Sequence, residues 1–247
     1  MRDMLEVRGL AVGYGGEALL QDLSFEVPRG EVLAILGSSG CGKSTLLRTL
    51  IGLQPALAGD VTIDGAPAAR PEGAPPLFGV VFQSAALFGS STLLQNVLLP
   101  LQKWTALPPD AAEVVARARL RLVGLERYAN HLPSEVSGGM RKRAGIARAL
   151  ALDPPLLFLD EPSAGLDPIT SAALDELIVS LARDLQVTVV LVTHELPSIR
   201  RVADQCVMLD RDLRGILARG APRDLAERSD DARVRAFFGR KTLQEHP

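Results

Sequence analysis

Aromatic residues and cysteine are scarce in this sequence of 247 residues. Only 4% of the residues are aromatic, and the two cysteines, Cys41 and Cys206, stand far apart without a neighbouring Cys or His at ligand spacing. This distribution argues against a disulfide scaffold and a structural zinc site, and it favours a reducing cytosol. No apolar run approaches the roughly 18 residues of a membrane span, so contact with a membrane would require a partner.

The sequence also lacks a strong charge bias. With 27 basic and 29 acidic residues the net charge is -2, and no five like charges are consecutive, so nucleic acid is not expected as a partner. Charges interrupt residues 1–6, where a signal peptide needs an apolar run. A content of 47% apolar and 23% charged residues is typical of a globular α/β chain and excludes a disordered or fibrous one.

Short apolar runs alternate with segments of helical period. Strands are predicted at residues 5–12, 32–36, 80–82, 156–159, 187–192 and 207–209, and helices at 45–53, 111–122 and 172–185. Wholly apolar strands alternating with helices indicate a mostly parallel sheet that is covered on both faces. The fold class is therefore predicted to be α/β, and a Pro-, Gly- and Ala-rich stretch at residues 66–76 is predicted to be a surface loop.

The segment from residue 84 to 151 breaks this alternation, because it has helical patterns and no convincing strand. We predict one domain over residues 1–247, with a core at 1–84 and 152–222, an inserted helical subdomain at 85–151 and a helical tail at 223–247. Val234, Phe237 and Phe238 would form one apolar helix edge in the tail. That edge either docks on its own domain or contacts another subunit.

A phosphate-binding loop is the strongest motif. Residues 37–44 match G-x-x-x-x-G-K-[ST] between a predicted strand and a predicted helix. Glycines let backbone N–H groups curl around phosphate oxygens, and the helix N-terminus adds a positive dipole end. Lys43 is predicted to reach the β and γ phosphates, and the Ser44 hydroxyl to bind Mg²⁺.

Two carboxylates follow an apolar strand at Asp160 and Glu161. Alone, such a pair is commonly a solvated turn. Together with the phosphate loop, it predicts that Asp160 holds Mg²⁺ and that Glu161 polarises the water that attacks the γ phosphate.

A second helix start able to bind an anion is predicted at residues 137–139. Ser137 suits an N-cap, and Gly138 and Gly139 leave the N–H groups unobstructed. Because the phosphate loop already wraps one triphosphate, this second site would close over the γ phosphate of a nucleotide held by another copy of the chain.

Three further side chains complete the predicted site. His194 follows the strand at 187–192 and is predicted to contact the γ phosphate. Gln83 follows the strand at 80–82 and is placed to reach Mg²⁺ or the attacking water. Tyr14 follows the first strand in a glycine turn and is predicted to stack on adenine, although an exposed loop aromatic is the alternative.

In order and spacing these motifs resemble the ATP-binding subunit of an ABC transporter over nearly the whole chain. By that resemblance Tyr14 is the adenine-stacking aromatic, Gln83 the Q-loop and His194 the switch histidine. The Walker A loop is residues 37–45, the signature 137–139, Walker B with its catalytic glutamate 160–161 and the D-loop 163–167. The ATP-binding set is then Tyr14, Gly37, Ser38, Ser39, Gly40, Cys41, Gly42, Lys43, Ser44, Thr45, Gln83, Ser137, Gly138 and Gly139. The metal set is Ser44, Gln83 and Asp160, and the catalytic set is Lys43, Glu161 and His194.

The resemblance implies a P-loop ATPase core with an antiparallel β region near the N-terminus. It also implies ATP and Mg²⁺ as cofactors, a homodimer that sandwiches two ATP molecules, and an integral membrane permease driven through a groove near Gln83. The chain would then be peripheral on the cytoplasmic face of the inner membrane.

Two departures from that family pattern are informative. Met140 replaces the usual glutamine after Ser-Gly-Gly, and Val136 replaces the usual leucine before it. With the strings at 82–88, 167–170 and 231–238, the Ser-Gly-Gly-Met sequence resembles the ATPases of Mla-type, MCE-associated lipid transporters. This narrower resemblance implies phospholipid cargo, an MCE-domain lipid-binding subunit and a small STAS-domain protein on the helical subdomain.

Three alternative functions are considered, and the sequence disfavours the second and the third of them. A soluble ABC-type ATPase for assembly, as in iron–sulfur cluster biogenesis, has the same motifs. A DNA-repair ATPase of the SMC or Rad50 type needs a long coiled-coil insertion between Lys43 and Ser137, and that interval has no heptads. A nucleotide-gated scaffold without catalysis is disfavoured by the intact Glu161 and His194.

Overall fold

The computed structural model describes residues 3–68 and 73–239. The first two residues of the charged N-terminal segment, residues 69–72 of the predicted loop and residues 240–247 of the predicted tail lie outside the described residues. In chain order the strands are β1 (Asp3–Tyr14), β2 (Glu17–Pro28), β3 (Val32–Gly37), β4 (Ala58–Ile63), β5 (Ala66–Pro67), β6 (Gly79–Val81), β7 (Leu156–Asp160), β8 (Thr188–Val192), β9 (Gln205–Asp210) and β10 (Gly215–Gly220). The helices are α1 (Lys43–Leu50), α2 (Leu93–Trp104), α3 (Pro109–Leu122), α4 (Gly138–Ala149), α5 (Pro168–Leu185), α6 (Leu196–Val202), α7 (Pro222–Arg228) and α8 (Ala232–Phe238).

The strands form two sheets. An antiparallel sheet has the order β2-β1-β4-β5, and a six-stranded sheet has the order β10-β9-β3-β8-β7-β6. The second sheet is parallel from β9 to β6, and only β10 joins it antiparallel. The predicted fold class, a mostly parallel sheet with an antiparallel β region near the N-terminus, is confirmed.

Helix α1 lies between the two sheets. Its buried Leu46, Leu47 and Leu50 share one apolar core with the antiparallel sheet and with one face of the parallel sheet. Residues of β3, β7 and β8 are buried on both faces of the sheet, which is why they appear in the sequence as continuous apolar runs. This packing fixes the first turn of α1 beside the end of β3.

Residues 85–151, all of which the structure describes, contain helices α2, α3 and α4, two 3₁₀ turns (Glu126–Tyr128 and Pro133–Glu135) and no strand. Side chains of the three helices share a core with the other face of the parallel sheet and with α5. The helical character of this segment agrees with the sequence, whereas the domain boundaries at 84 and 151 stay a prediction.

Four regions differ from the sequence-based expectations. Strands β2, β4 and β10 were not predicted as individual strands. The residues of β2 alternate largely between buried and exposed, β4 begins with three exposed residues, and β10 is mostly half-buried. The loop predicted at residues 66–76 is wrong at its start, because Ala66 and Pro67 pair with β4 as β5.

The described residues contain no helix long and apolar enough to cross a membrane.

The predicted apolar edge of the tail docks on its own domain. Val234, Phe237 and Phe238 lie on α8 and are buried in one cluster with residues of β3 and β9, including Leu36 and Met208. The alternative, that this edge contacts another subunit, is wrong for these side chains.

Candidate active site

The predicted site residues meet at one edge of the parallel sheet. Strands β3, β8, β7 and β6 are consecutive and parallel, so their carboxyl ends lie side by side. The phosphate loop follows β3, His194 follows β8, Asp160 ends β7, and Gln83 follows β6. This is the edge at which open α/β sheets bind their ligands.

Glycine is required in the phosphate loop on steric grounds. Gly37 has a φ of 147°, and a Cβ there would lie 2.7 Å from the backbone oxygen of Leu209. Gly42 has a φ of 107° as the N-cap of α1, and a Cβ there would lie 2.8 Å from Leu20 Cδ1. These positions therefore admit no larger residue without movement of the loop or its neighbours.

Lys43 closes the loop on itself. Its Nζ donates to the backbone oxygens of Gly37 and Ser38, each at 2.9 Å. Because a phosphate group offers stronger, charged acceptors than two carbonyls, these contacts can be exchanged for nucleotide oxygens. The ammonium group is thus already held over the space that the loop encloses.

The carboxylates after β7 lie in different surroundings. Asp160 is the last residue of the strand, and the pKa of its carboxyl is raised by burial and then by the neighbouring Glu161. Glu161 has a φ of 45°, an unusual backbone conformation for a residue other than glycine, and its N–H donates to Val192 O at 2.8 Å. The backbone therefore leaves the extended strand conformation at Glu161.

Glu161 and His194 form a pair across the ends of β7 and β8. Glu161 Oε1 lies 2.7 Å from His194 Nδ1. The other oxygen, Oε2, is buried and has no hydrogen-bond partner within the described part of the chain. A buried carboxylate oxygen without a partner is rare, and it is the arrangement expected of a group that acts on a substrate water.

Tyr14 is brought to the phosphate-loop helix from the other sheet. Its hydroxyl lies 3.2 Å from Thr45 Oγ1, while its ring is 55% exposed at the end of β1. Gln83 is also exposed. Both side chains are therefore accessible to a nucleotide, and their roles stay predictions.

The signature segment is not joined to the phosphate loop by any hydrogen bond in residues 3–68 and 73–239. Ser137 is the N-cap of α4, and its Oγ accepts from Met140 N at 3.2 Å. A Cβ on Gly139 would overlap Thr170 Cγ2 at the start of α5. Ser137 itself is exposed, so this helix start is open to a ligand from outside its own nucleotide site.

Sequence reasoning missed two basic residues on α4. Lys142 Nζ donates to the backbone oxygens of Gln83 and Glu161, and the Arg148 guanidinium donates to those of Ala85 and Ala86. The available signal for Lys142 was that the chain has four lysines and that this one follows the predicted helix start at residues 137–139.

The oxygen donors at this edge fit Mg²⁺. Ser44 offers a hydroxyl in the first turn of α1, Gln83 an amide oxygen and Asp160 a carboxylate, all of them hard ligands. The raised pKa of Asp160 reflects burial beside a second carboxylate, and a divalent cation would offset that unfavourable charge.

A phosphate loop, a strand-end carboxylate pair and a switch-like histidine on one sheet edge define a P-loop nucleotide hydrolase. The chain belongs to the ABC transporter family, whose model matches residues 20–164. It is an ATPase that binds ATP, and ATPases of this family dimerise and pair with membrane permeases.

Two relatives and one solved structure resemble the chain over most of its length. It is 40% identical over 244 residues to the probable ribonucleotide transport ATP-binding protein mkl of Mycobacterium leprae (strain TN), covering 97% of this chain and 70% of that protein. It is 37% identical over 248 residues to the intermembrane phospholipid transport system ATP-binding protein MlaF of Escherichia coli (strain K12), covering 96% and 88%. An ATP-binding cassette solved as a dimer in a post-hydrolysis state with ADP and Pi is 30% identical, with a TM-score of 0.76 and coverage of 88% and 98%.

Proposed function

We propose that this chain is the ATP-hydrolysing subunit of a phospholipid transporter of the Mla, MCE-associated type. The similarity to MlaF over 96% of the chain supports this cargo, as does Met140 after Ser-Gly-Gly. Ribonucleotide is the alternative cargo, because another relative is named for ribonucleotide transport. A soluble assembly ATPase is the remaining alternative.

Each nucleotide site in this proposal is built from two copies of the chain. One copy contributes the phosphate loop, Asp160, Glu161 and His194, and the other contributes the N-terminus of α4 with Ser137. The exposed N-cap and the absence of a hydrogen bond from Ser137 to the phosphate loop among the described residues support this arrangement. A helix N-terminus stabilises the negative charge of a phosphate through its N–H groups and its dipole.

The observation that carries the chemistry concerns the Glu161 carboxylate: His194 contacts Oε1, and Oε2 has no hydrogen-bond partner among the residues that the structure describes. Oε2 accepts a hydrogen bond from the attacking water and takes its proton as the water adds in line to the γ phosphate. His194 fixes the carboxylate and faces the γ phosphate. Lys43 neutralises charge that develops on the β and γ oxygens.

Mg²⁺, when bound by Ser44, Gln83 and Asp160, supplies additional neutralisation of phosphate charge. The Tyr14 ring stacks on adenine and orients the nucleotide. Glycine backbone N–H groups of residues 37–42 hold the phosphates against Lys43. Positioning and charge stabilisation together account for catalysis, because phosphoryl transfer requires little covalent chemistry from the protein.

The proposed assembly contains a homodimer of this chain, an integral permease, an MCE-domain lipid-binding subunit and a STAS-domain protein on the helical subdomain. It would lie at the cytoplasmic face of the inner membrane. Coupling would run through the segment after Gln83, where the exposed Phe88 adjoins the start of α2.

The test is affinity purification of the tagged full-length chain from detergent-solubilised membranes of its own organism. Proteins and lipids that remain bound are identified by mass spectrometry, and the complex is then reconstituted in proteoliposomes. We expect a copurifying permease and ATP-dependent transfer of phospholipid. Transfer of ribonucleotide without transfer of phospholipid would show that the proposed cargo is wrong. Recovery of the chain without any membrane protein would favour the assembly ATPase.

A further inference from the structure

A buried lysine links α4 to the catalytic edge. The side chain of Lys142 is 6% exposed, although an ammonium group is costly to bury without acceptors. Its Nζ donates to Gln83 O, and to Glu161 O at 3.2 Å. Burial lowers the pKa of Lys142, while the carboxylates of Glu161, Asp160 and Glu195 oppose that change.

Both acceptors belong to residues whose side chains have proposed roles at the nucleotide. Glu161 stands at a φ of 45°, a backbone conformation that persists only where neighbours hold it. The bond from Lys142 to Glu161 O is one such restraint, and the bond from Glu161 N to Val192 O is another. By holding the backbone of Glu161, Lys142 helps to set the direction in which the Glu161 carboxylate points.

The same helix holds the segment after Gln83 at a second place. Arg148 donates to Ala85 O at 2.9 Å and to Ala86 O at 2.8 Å. Between the two basic residues, Gly145 packs so closely that a Cβ there would lie 3.2 Å from Ala85 Cβ. Residues 83–86 are thus fixed to α4 along its length, and a shift of α4 would carry them with it.

The opposite end of α4 begins at Ser137, which the proposed function places on the γ phosphate of the partner's nucleotide. We propose that Lys142 is a positioning residue that couples this contact to Gln83 and Glu161 of its own chain, so that the two nucleotide sites hydrolyse ATP cooperatively. The inference rests on the proposed two-chain site. It adds a physical connection from one site to the other through a single helix and one side chain.

The test compares Lys142→Met, which keeps the length of the side chain but removes the donors, with Lys142→Arg, which keeps donors. Arg143→Met on the same helix is the matched control, because no hydrogen bond from the Arg143 side chain is found among the described residues. Steady-state hydrolysis by full-length protein gives kcat, KM and the Hill coefficient. Hydrogen–deuterium exchange of residues 82–87 without nucleotide gives a readout independent of activity.

For Lys142→Met we expect kcat to fall about tenfold or more, as small displacements of catalytic groups produce, with KM for ATP within about twofold if ground-state binding is kept. The Hill coefficient should fall towards 1, and amide exchange in residues 82–87 should be faster than in wild type. Lys142→Arg should recover most of the turnover and the cooperativity. Arg143→Met should match wild type in all four measurements.

Wild-type cooperativity and exchange in Lys142→Met would overturn the inference while leaving the proposed function intact. Equal losses in the Met and Arg variants, or failure of both to fold, would also overturn it, because they assign Lys142 a purely structural role. If Lys142→Met alone fails to fold, Lys142→Gln takes its place with the same expected results. A wild-type enzyme that hydrolyses ATP as a monomer without cooperativity would refute both the proposed function and the inference.

Discussion

Glu161 and His194 are joined by a 2.7 Å contact between Oε1 and Nδ1 across the ends of two neighbouring parallel strands. The pairing uses one carboxylate oxygen and leaves Oε2 buried without a partner in the described residues. An oriented carboxylate with one free oxygen can receive a proton from water without first breaking another bond. The predictions below follow from this relationship and from the packing around it.

Replacing Glu161 with Gln should remove turnover while keeping ATP binding. The amide retains the shape of the side chain but cannot take a proton, so phosphate release should fall by about 10²-fold or more. Because hydrolysis no longer reopens the assembly, a nucleotide-bound dimer should accumulate. Phosphate-release assays and sedimentation with ATP measure the two effects.

Glu227→Gln is the control for that variant, since the exposed Glu227 side chain on α7 forms a surface ion pair with Arg223. It should match wild type in both assays. Wild-type hydrolysis by Glu161→Gln would contradict the proposed role of the carboxylate.

Removing the imidazole in His194→Ala should lower kcat by about 10²-fold, because the Glu161 carboxylate loses its orienting partner and the γ phosphate loses a contact. ATP affinity, measured by equilibrium binding of a fluorescent analogue, should change much less. His131→Ala is the matched control, as His131 is exposed and contacts the Tyr128 ring. Equal activity of the two variants would remove His194 from the mechanism.

A methyl group on Gly139 should separate the signature segment from α5. In Gly139→Ala the new Cβ overlaps Thr170 Cγ2, and overpacking of this kind costs about 1–3 kcal/mol. Thr170→Ser removes that methyl group and keeps the hydroxyl that donates to Asp167. The double variant should therefore recover thermal stability and hydrolysis relative to Gly139→Ala.

Thermal unfolding of wild type, the two single variants and the double variant gives a double-mutant cycle that measures the coupling between residues 139 and 170. Thr170→Ser alone should stay near wild type. Strictly additive effects would show that the contact between Gly139 and Thr170 does not set the position of the signature segment.

Truncation of Phe238 should destabilise the chain. Its side chain is 2% exposed and packs with the β3 and β9 core, so Phe238→Ala should cost about 3 kcal/mol of unfolding free energy. Phe88 is exposed, and Phe88→Ala should change stability by less than about 0.5 kcal/mol. Denaturant unfolding compares them, and equal midpoints would contradict the docked position of α8.

The sequence was sufficient to place most of the catalytic edge. Strands β3, β7 and β8 are buried on both faces, which makes them continuous apolar runs, and the polar residues at their ends are then forced to one side of a parallel sheet. Strand β2 alternates largely between buried and exposed residues, and β4 begins with the exposed residues Ala-Gly-Asp. Neither strand therefore forms the continuous apolar run by which a buried strand is predicted.

Contacts between distant segments could not be predicted in this way. The acceptors of Lys142 lie 59 and 19 residues away in the sequence, and no local pattern specifies such backbone carbonyls. The Glu161 to His194 contact was likewise beyond prediction, since side-chain orientation at the ends of two strands depends on the turn that follows each of them. The overlap that Gly139 avoids with Thr170 depends on the packing of α4 against α5.

The most direct measurement of the central claim is hydrolysis by purified mixed dimers that carry two different affinity tags. One mixture pairs a Lys43→Ala chain with a Ser137→Arg chain, and the other pairs wild type with a chain that carries both substitutions. If each site uses Lys43 of one chain and Ser137 of the other, the first dimer keeps one intact site and the second keeps none. We therefore predict activity in the first mixture only, and activity in the second mixture only would contradict the account.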